Sequence, residues 1–343
     1  SGVYTTPYVH AEARGGFTHT SPTATYRGAG RPEASYAIER TIDVAAAELC
    51  IDPVELRRRN LIPPDAMPYD TGFVFTYDSG EFEVCLDRAI EAADRAGFTA
   101  RQKEAESRGK LRGMGIASVI EIAGGPLPIP NEESAAIRFD TDGGVSVLMG
   151  THSHGQGHET TFPQVISDLL GIPYEDIFLA PGDTKLLKLG GGTHSDRSMR
   201  MMGKVLYEIS KDLIEKAIPV AAHLLQADAK TINFINGKFK IDKTGQELTI
   251  QEVAAYYSKF NQTDEPLFSE FLQECRINAY PFGASGAEIE IDPETGGLEI
   301  IRYAVVDDCG QAVNPMIVHG QTHGGIVQGA GQAIGENAIF DQN

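Results

Sequence analysis

Positive charge is scarce in this 343-residue sequence: 29 Lys and Arg stand against 48 Asp and Glu, a formal charge of −19. A field of that sign repels nucleic acid and anionic membrane, so neither is an expected partner. A local basic pocket for phosphates remains compatible with such an acidic shell. Cysteine is also rare. Cys50, Cys85, Cys275 and Cys309 show no CxxC spacing, which excludes a disulfide scaffold and reads as reduced thiols of a cytoplasmic protein. No run approaches the roughly 20 apolar residues of a membrane-spanning helix, and no signal-peptide pattern is visible. Tryptophan is absent, and that excludes nothing. Several motifs are missing as well. There is no GxxxxGK followed by Ser or Thr, which removes a P-loop, and no GxSxG elbow for Ser–His–Asp chemistry. Gly28-Ala-Gly30 and Gly329-Ala-Gly331 lack the spacing and strand context of a dinucleotide fingerprint.

What is present describes a globular chain: 41% of residues are hydrophobic, and the length allows two domains with real cores. The pattern changes near residue 110. Before it, Pro32 and Glu33 in a first turn predict a helix to about Leu49. Asp52-Pro53 caps a shorter helix through Arg57-Arg58-Arg59, a run expected at a solvated or phosphate-facing helix end. Helices are also expected over 81–96 and 99–108. After it, strands are expected over 112–123, 135–140 and 145–149, the last two joined by Thr141-Asp-Gly-Gly144. Helix follows at about 158–170, strand at 177–180, a long helix at 198–226, a hairpin at Asn236-Gly237 and a helix over 249–260. Residues 137–149 and 288–306 share an order of strand, glycine turn and strand, each followed by a glycine-rich stretch and a helix. That order points to a duplicated α+β module gripping one ligand from two sides.

Two segments carry the chemistry. Gly155-Gln156-Gly157 sits between a strand pattern and a helix pattern, a layout that aims backbone N–H groups and a helix N-terminus at an anion. Gly190-Gly-Gly-Thr-His-Ser-Asp-Arg-Ser198 repeats the theme. Two polar helix entries this close suit a large phosphorylated cofactor better than a small metabolite. His152, His154, His158 and His194 raise a zinc alternative, in which His152, His154 and Asp183 serve a hydrolase. Against it, His158 belongs to the following helix and no carboxylate is evidently paired with the set. Asp183, after Pro181-Gly182, also fits a turn. Glu121, in an apolar strand run, marks either an edge or a pocket, because a buried unpaired carboxylate is costly. Asp307-Asp308, Cys309-Gly310 and Asn314-Pro315 form a polar loop where a site could lie.

Read in order, Tyr26-Arg-Gly-Ala-Gly-Arg-Pro-Glu-Ala34, Gly155-Gln-Gly-His-Glu-Thr160, Gly182-Asp-Thr184, Gly191-Gly-Thr-His-Ser-Asp-Arg-Ser198, Asn314-Pro315 and Gly320-Gln-Thr-His-Gly-Gly325 form a recognisable set. The chain resembles the molybdopterin-binding large subunit of molybdenum hydroxylases, the family of xanthine dehydrogenase, aldehyde oxidase and aerobic carbon monoxide dehydrogenase-like proteins. The resemblance implies an α+β fold of two mixed α/β modules. Residues 1–110 would be the end of a first molybdopterin-binding domain and 111–343 a second. It implies molybdenum-molybdopterin, in the cytosine dinucleotide form, with Gly155, Gln156, Gly157 and Thr160 along the pterin. Thr193, Ser195, Asp196, Arg197 and Ser198 would hold pterin or phosphate groups, Asn314 and Gln321 would approach from the second half, and Arg27 and Gly28 would complete the cofactor set. Ala29 and His154 would border the substrate pocket. The family reaction hydroxylates an aldehyde, heterocycle or similar carbon with water-derived oxygen. Its electrons leave through [2Fe–2S] clusters and FAD, which no cysteine set here provides, so partner subunits or domains are expected to carry them.

Departures from the family pattern shape the expectation. The family's catalytic glutamate sits in a Gly-Val-Gly-Glu-like motif that does not occur before Asn343, and Glu336 is not that base. The Gly-Gly-Ala-Phe-Gly-type segment expected upstream of Ser1 is absent too. The chain is therefore expected to be part of a large subunit, inactive alone, and part of a higher oligomer in its parent complex. Ala29 replaces the ring that sandwiches purines in xanthine-type members, and the Tyr26-Arg-Gly-Ala loop lacks the Cys of copper-type enzymes. A zinc-dependent hydrolase and a non-catalytic scaffold remain the rival readings.

Overall fold

A computed structural model describes residues 2–22, 24–124, 132–187 and 189–341. The first helix, α1 (Arg31–Leu49), begins where Pro32 presets φ and ends where Cys50 turns left-handed. Next, α2 (Pro53–Asn60) is capped by Asp52, whose carboxylate accepts the N–H groups of Val54 and Glu55 at 2.8 and 3.2 Å. A short ribbon, β1 (Tyr69–Asp70) with β2 (Thr76–Tyr77), leads to α3 (Phe82–Ala92) and α4 (Arg95–Ser107). The helix expected over 81–96 thus stops early, and the one expected from 99 starts early. Asp94 explains both: it sits at φ 49° and its carboxylate accepts the Gly97 N–H, ending one helix and capping the next.

Further along come β3 (Leu111–Ile120), β4 (Glu133–Phe139), β5 (Val145–Met149), α5 (His158–Leu170) and β6 (Ile177–Pro181). Pro163 inside α5 has no N–H to offer the Glu159 carbonyl, and the Tyr174 hydroxyl donates to it instead at 3.1 Å. The long helix is α6 (Gly203–Leu225), entered through a π-helical turn at Ser198–Met202. Then β7 (Ile232–Ile235) and β8 (Lys238–Ile241) turn through Asn236 and Gly237, both at positive φ as a type I′ hairpin requires. The remaining elements are β9 (Glu247–Thr249), α7 (Ile250–Asn261) with a Thr249/Glu252 capping box, β10 (Phe268–Gln273), β11 (Phe282–Ile291), β12 (Leu298–Asp308) and α8 (Pro315–Ile334).

These elements gather into two compact units that interleave along the chain: Ser1–Glu121 with Ala279–Gly310 and Ala338–Asn343, and Ile122–Asn278 with Gln311–Asn337. The segments expected from the family pattern, 1–110 and 111–343, are consecutive instead. In the first unit an antiparallel sheet in the order β12-β11-β3 carries α1, α3 and α4. In the second, a sheet in the order β10-β4-β5-β6 is antiparallel except for the parallel β5–β6 pair. Its apolar side chains, with those of α5, α6 and α7, make one core. Phe162, Ile166 and Leu170 on α5 are wholly buried there, each worth roughly 1.5–3 kcal/mol.

Three expectations are corrected. The duplicated module is not seen: β4–β5 precedes a true loop and α5, whereas Gly320–Gly325 lies inside α8, which belongs to a different unit from β11–β12. Asn314 and Pro315 start that helix upstream, so its glycines are helical. Glu121 lies just past β3 in an ion pair with Arg31, which leaves no unpaired carboxylate to mark a pocket. Arg57, finally, faces no phosphate. Helical rotation places it on the core side beside Val54 while Arg58 and Arg59 stay on the surface among Glu55, Glu83 and Asp87.

Arg57 is fully buried, donating to Glu39 at 2.7 Å and to the carbonyls of Pro53, Glu39 and Ile116, with Asp43 at 2.9 Å. The Tyr4 hydroxyl donates to the same Glu39 carboxylate at 2.7 Å, and burial with Glu39 beside it raises that phenol above its usual range. Replacing Arg57 with Ala strands Glu39 without its counter-ion and should lower unfolding free energy by about 3–5 kcal/mol. Urea denaturation checks this, and a loss below about 1 kcal/mol would contradict the pairing.

Candidate functional site

The site in the second unit grows from a backbone crossing. Where β5 ends, Gly150 lies against Gly190: a Cβ on Gly150 would fall 2.5 Å from the Gly190 Cα, and one on Gly190 would fall 2.4 Å from the Gly150 Cα. Only glycine permits this approach. A Cβ on Gly191 would in turn meet the Arg197 guanidinium at 2.0 Å. The two glycine-rich segments singled out in the sequence are therefore neighbouring segments of one site.

Beneath the crossing lies a buried ion pair. Arg197 donates to the Glu133 carboxylate at 2.7 Å, to the Gly192 carbonyl at 2.9 Å and to the Glu132 carbonyl at 3.0 Å, with both charged side chains 0% exposed. Burial pushes the Glu133 carboxyl upward, while Arg197 and the N–H groups of Ser134 and Gly191 pull it back. Arg197, expected to hold pterin or phosphate groups, lies under the loop, where both its terminal nitrogens donate to protein acceptors.

Hydroxyls continue the floor. Thr151, wholly buried, contacts Thr193 at 2.5 Å and Ser198 at 2.8 Å. Thr193 donates to the His152 carbonyl at 2.5 Å and accepts the His152 N–H at 3.2 Å. Ser198, also expected to touch the ligand, is buried and completes this cluster at 3.1 Å from Thr193.

Above the floor the loops are open. Gly155 stands at φ 115° with nothing near its Cβ position, and Gly157 at φ 80° caps α5, its carbonyl accepting from Thr160 and Thr161. A Cβ on Gly157 would meet Ile317 of α8 at 2.9 Å. Gln156 folds back on its own loop, accepting the His154 N–H at 2.8 Å. Half-buried Thr160 lies in the first turn of α5, and exposed His154 brings Nε2 to 3.4 Å from the Thr193 carbonyl. Ser195 and Asp196 are exposed and both left-handed, at φ 49° and 52°, a local strain of about 1–2 kcal/mol each. Asn314 caps α8 through the Ile317 N–H at 3.1 Å and pins it to Gln164 of α5 at 3.0 Å. Gln321 lies on the exposed face of α8. Arg27, Gly28 and Ala29 belong to the other unit, in a turn where the Ala29 N–H donates to the Tyr26 carbonyl at 2.8 Å. A Cβ on Gly28 there would fall 2.5 Å from the Pro32 ring.

Glu133 and Thr151 were not among the residues picked out by motif. A carboxylate opening the buried strand Ser134-Ala-Ala-Ile137 was the available signal, since such a group must find a counter-ion. Asp183 is a turn residue, accepting the Lys185 N–H at 2.9 Å. Among the described residues no three His, Cys, Asp or Glu side chains assemble as a metal-binding group, which leaves the zinc alternative without a ligand set there. His158 is buried against Phe162, and that burial holds its imidazole below the usual histidine range.

Comparison with known proteins now bears on this geometry. Models of molybdopterin cofactor-binding domains match residues 88–343 and 1–61. The chain belongs to the molybdopterin-binding large subunits of the molybdenum hydroxylases. It is 34% identical to the carbon monoxide dehydrogenase large chain of Hydrogenophaga pseudoflava, over 99% of this chain and 44% of that protein. It is 31% identical to subunit gamma of the 6-hydroxypseudooxynicotine dehydrogenase complex of Paenarthrobacter nicotinovorans, over 100% of this chain and 44% of that protein. Among solved structures, quinoline 2-oxidoreductase from Pseudomonas putida 86 superposes with a TM-score of 0.83 at 30% identity, covering 92% of this chain and 42% of that one. The chain thus spans less than half the length of these relatives. The expected α+β fold of this family is the one observed. Among the described residues no helix is long and apolar enough to cross a membrane.

The crossing of this family member yields a direct test. Gly190→Ala forces backbone apart from backbone, and overpacking of that kind should cost about 1–3 kcal/mol. A fall in the urea midpoint at unchanged slope is the expected result, and a neutral substitution would refute the close approach.

Proposed function

We propose that this chain forms the cofactor-holding part of a molybdenum hydroxylase. The observation that carries this reading is the pair of glycine-opened segments, 150–157 and 189–198, fixed side by side on one buried polar floor. The polar groups fit a pterin with a phosphate tail: glycine backbone without side-chain cover at Gly155, a helix entry at Gly157, exposed hydroxyl and imidazole groups at Ser195, His152 and His154, and an acceptor carboxylate at Asp196 for the pterin N–H groups. The pterin would lie along Gly155, Gln156, Gly157 and Thr160, with Ser195, Asp196 and the backbone of Thr193 beside it. Asn314 and Gln321 on α8 would approach it. The cytosine dinucleotide form is the proposed cofactor.

When bound, molybdenum supplies two-electron oxygen-transfer chemistry that no side chain here can perform. The protein's own part is binding and orientation. Arg197 and Ser198 hold the second segment from below, Thr193 ties it to the first, and His154 puts a titratable polar group beside the Gly-Gln-Gly turn. No residue of the present sequence is assigned as the general base. Glu336, just past α8, is exposed and is not assigned that role. We propose further that [2Fe–2S] and FAD subunits take the electrons, and that the substrate is a small carbon centre other than a purine, since Ala29 offers no ring. The Tyr26-Arg-Gly-Ala loop, lacking Cys, is proposed to hold no copper.

Metal analysis of the complete protein, purified with its partner subunits, tests the reading. Near-stoichiometric molybdenum with iron and flavin alongside is the expected outcome. Zinc without molybdenum would overturn it in favour of a hydrolase, and absence of any metal in favour of a scaffold.

A further inference from the structure

The polar groups under the two segments are arranged to do more than fill space. Three hydroxyls, Thr151, Thr193 and Ser198, lie within 2.5 to 3.1 Å of one another, and the Thr193 proton is committed to the His152 carbonyl. Thr193 must then accept from Thr151 or Ser198, so the cluster is directional and joins both segments through one chain of bonds. A second tie runs alongside: Ser134 donates to the Leu189 carbonyl at 2.5 Å while its own carbonyl accepts the Gly150 N–H at 3.0 Å. The third is the Glu133–Arg197 pair, which reaches from β4 to the Gly192 carbonyl. Thr151, Glu133 and Arg197 are each at most 1% exposed, so none presents a surface to a ligand.

We propose that Thr151 is a positioning residue: its hydroxyl, acting through Thr193 and Ser198, sets the register between the two cofactor segments, so pterin affinity depends on a buried group that never touches the pterin. This rests on the cofactor reading above. A methyl-lined floor of the same volume would keep the segments close without fixing their register, because van der Waals packing is non-directional. Hydrogen bonds fix relative position as well as proximity, and an unmet buried hydroxyl is penalised. The segment most in need of such a tie is 192–198, which carries the strained residues Ser195 and Asp196.

The test uses the complete protein with its partner subunits and compares Thr151→Val, an isostere without the hydroxyl, with Thr151→Ser, which keeps it. Ser198→Ala serves as a second variant should Thr151→Val fail to fold. Pterin content is read from the fluorescence of the acid-released, oxidised pterin after extended dialysis, and loop order from hydrogen exchange over 189–198. Thr151→Val should lose pterin at least about tenfold faster than wild type and lose protection over 189–198 while β7–β8 is unchanged. Thr151→Ser should restore both. Wild-type retention in Thr151→Val would overturn the proposal, as would equal failure of Thr151→Ser, which keeps the hydroxyl and would show that the hydroxyl does not set the register. Wild-type protein devoid of pterin would instead overturn the cofactor reading, and the exchange data would still decide whether Thr151 orders the segment.

Discussion

The candidate site depends on one buried ion pair. Glu133 opens β4 inside the core, and Arg197 ends the second glycine-rich segment; each without the other would be an uncompensated charge in a dry interior, at a cost of about 3–5 kcal/mol. Their attraction holds the turn at 189–198 over the sheet, and two further guanidinium hydrogens fix the carbonyls of Gly192 and Glu132. Everything above the pair is glycine, hydroxyl or exposed loop, with little packing of its own. Rigidity has to come from below.

The other unit uses the same device. Glu39 and Arg57 pair inside the helical layer, with Tyr4 and Asp43 completing the set, and the partners come from α1 and α2. In both cases an arginine that looks like a surface or ligand-binding residue in sequence is consumed internally. The physical reason is shared: a guanidinium has five donors in a fixed plane, enough to gather a carboxylate and several carbonyls from different elements at once. In an acidic chain with few cations, spending two arginines this way leaves the exposed site dominated by neutral and acidic groups. That balance favours recognition by backbone N–H groups and hydroxyls over recognition by side-chain charge.

Glycine also acts in two distinct ways. At Gly150, Gly190 and Gly191 it permits contact, because a Cβ would collide with backbone or with Arg197. At Gly155 it permits conformation, because φ is 115° and the surrounding space is open. Packing glycines build the crossing and conformational glycines shape the opening, although a motif presents both as the same letter.

Much of this was legible in the sequence. Caps and turn chemistry are local, so α1, α2 and the Asn236-Gly237 hairpin followed from Pro32, Asp52 and the hairpin dipeptide itself, and α5 and α7 lie within a residue of where they were expected. The ordered glycine motifs were enough to indicate the family. Other features were decided only by tertiary structure, because they depend on which distant residue arrives beside a given one. The break at Asp94 and the helical state of Gly320–Gly325 are not among these: both turn on local caps, Asp94 to Gly97 and Asn314 to Ile317, that apolar periodicity does not register. The inward turn of Arg57 and Arg197, the partnership with Glu133, and the place of Thr151 under both segments arise from contacts between residues tens of positions apart. A sequence shows that a buried charge must have a partner; only the fold says which one.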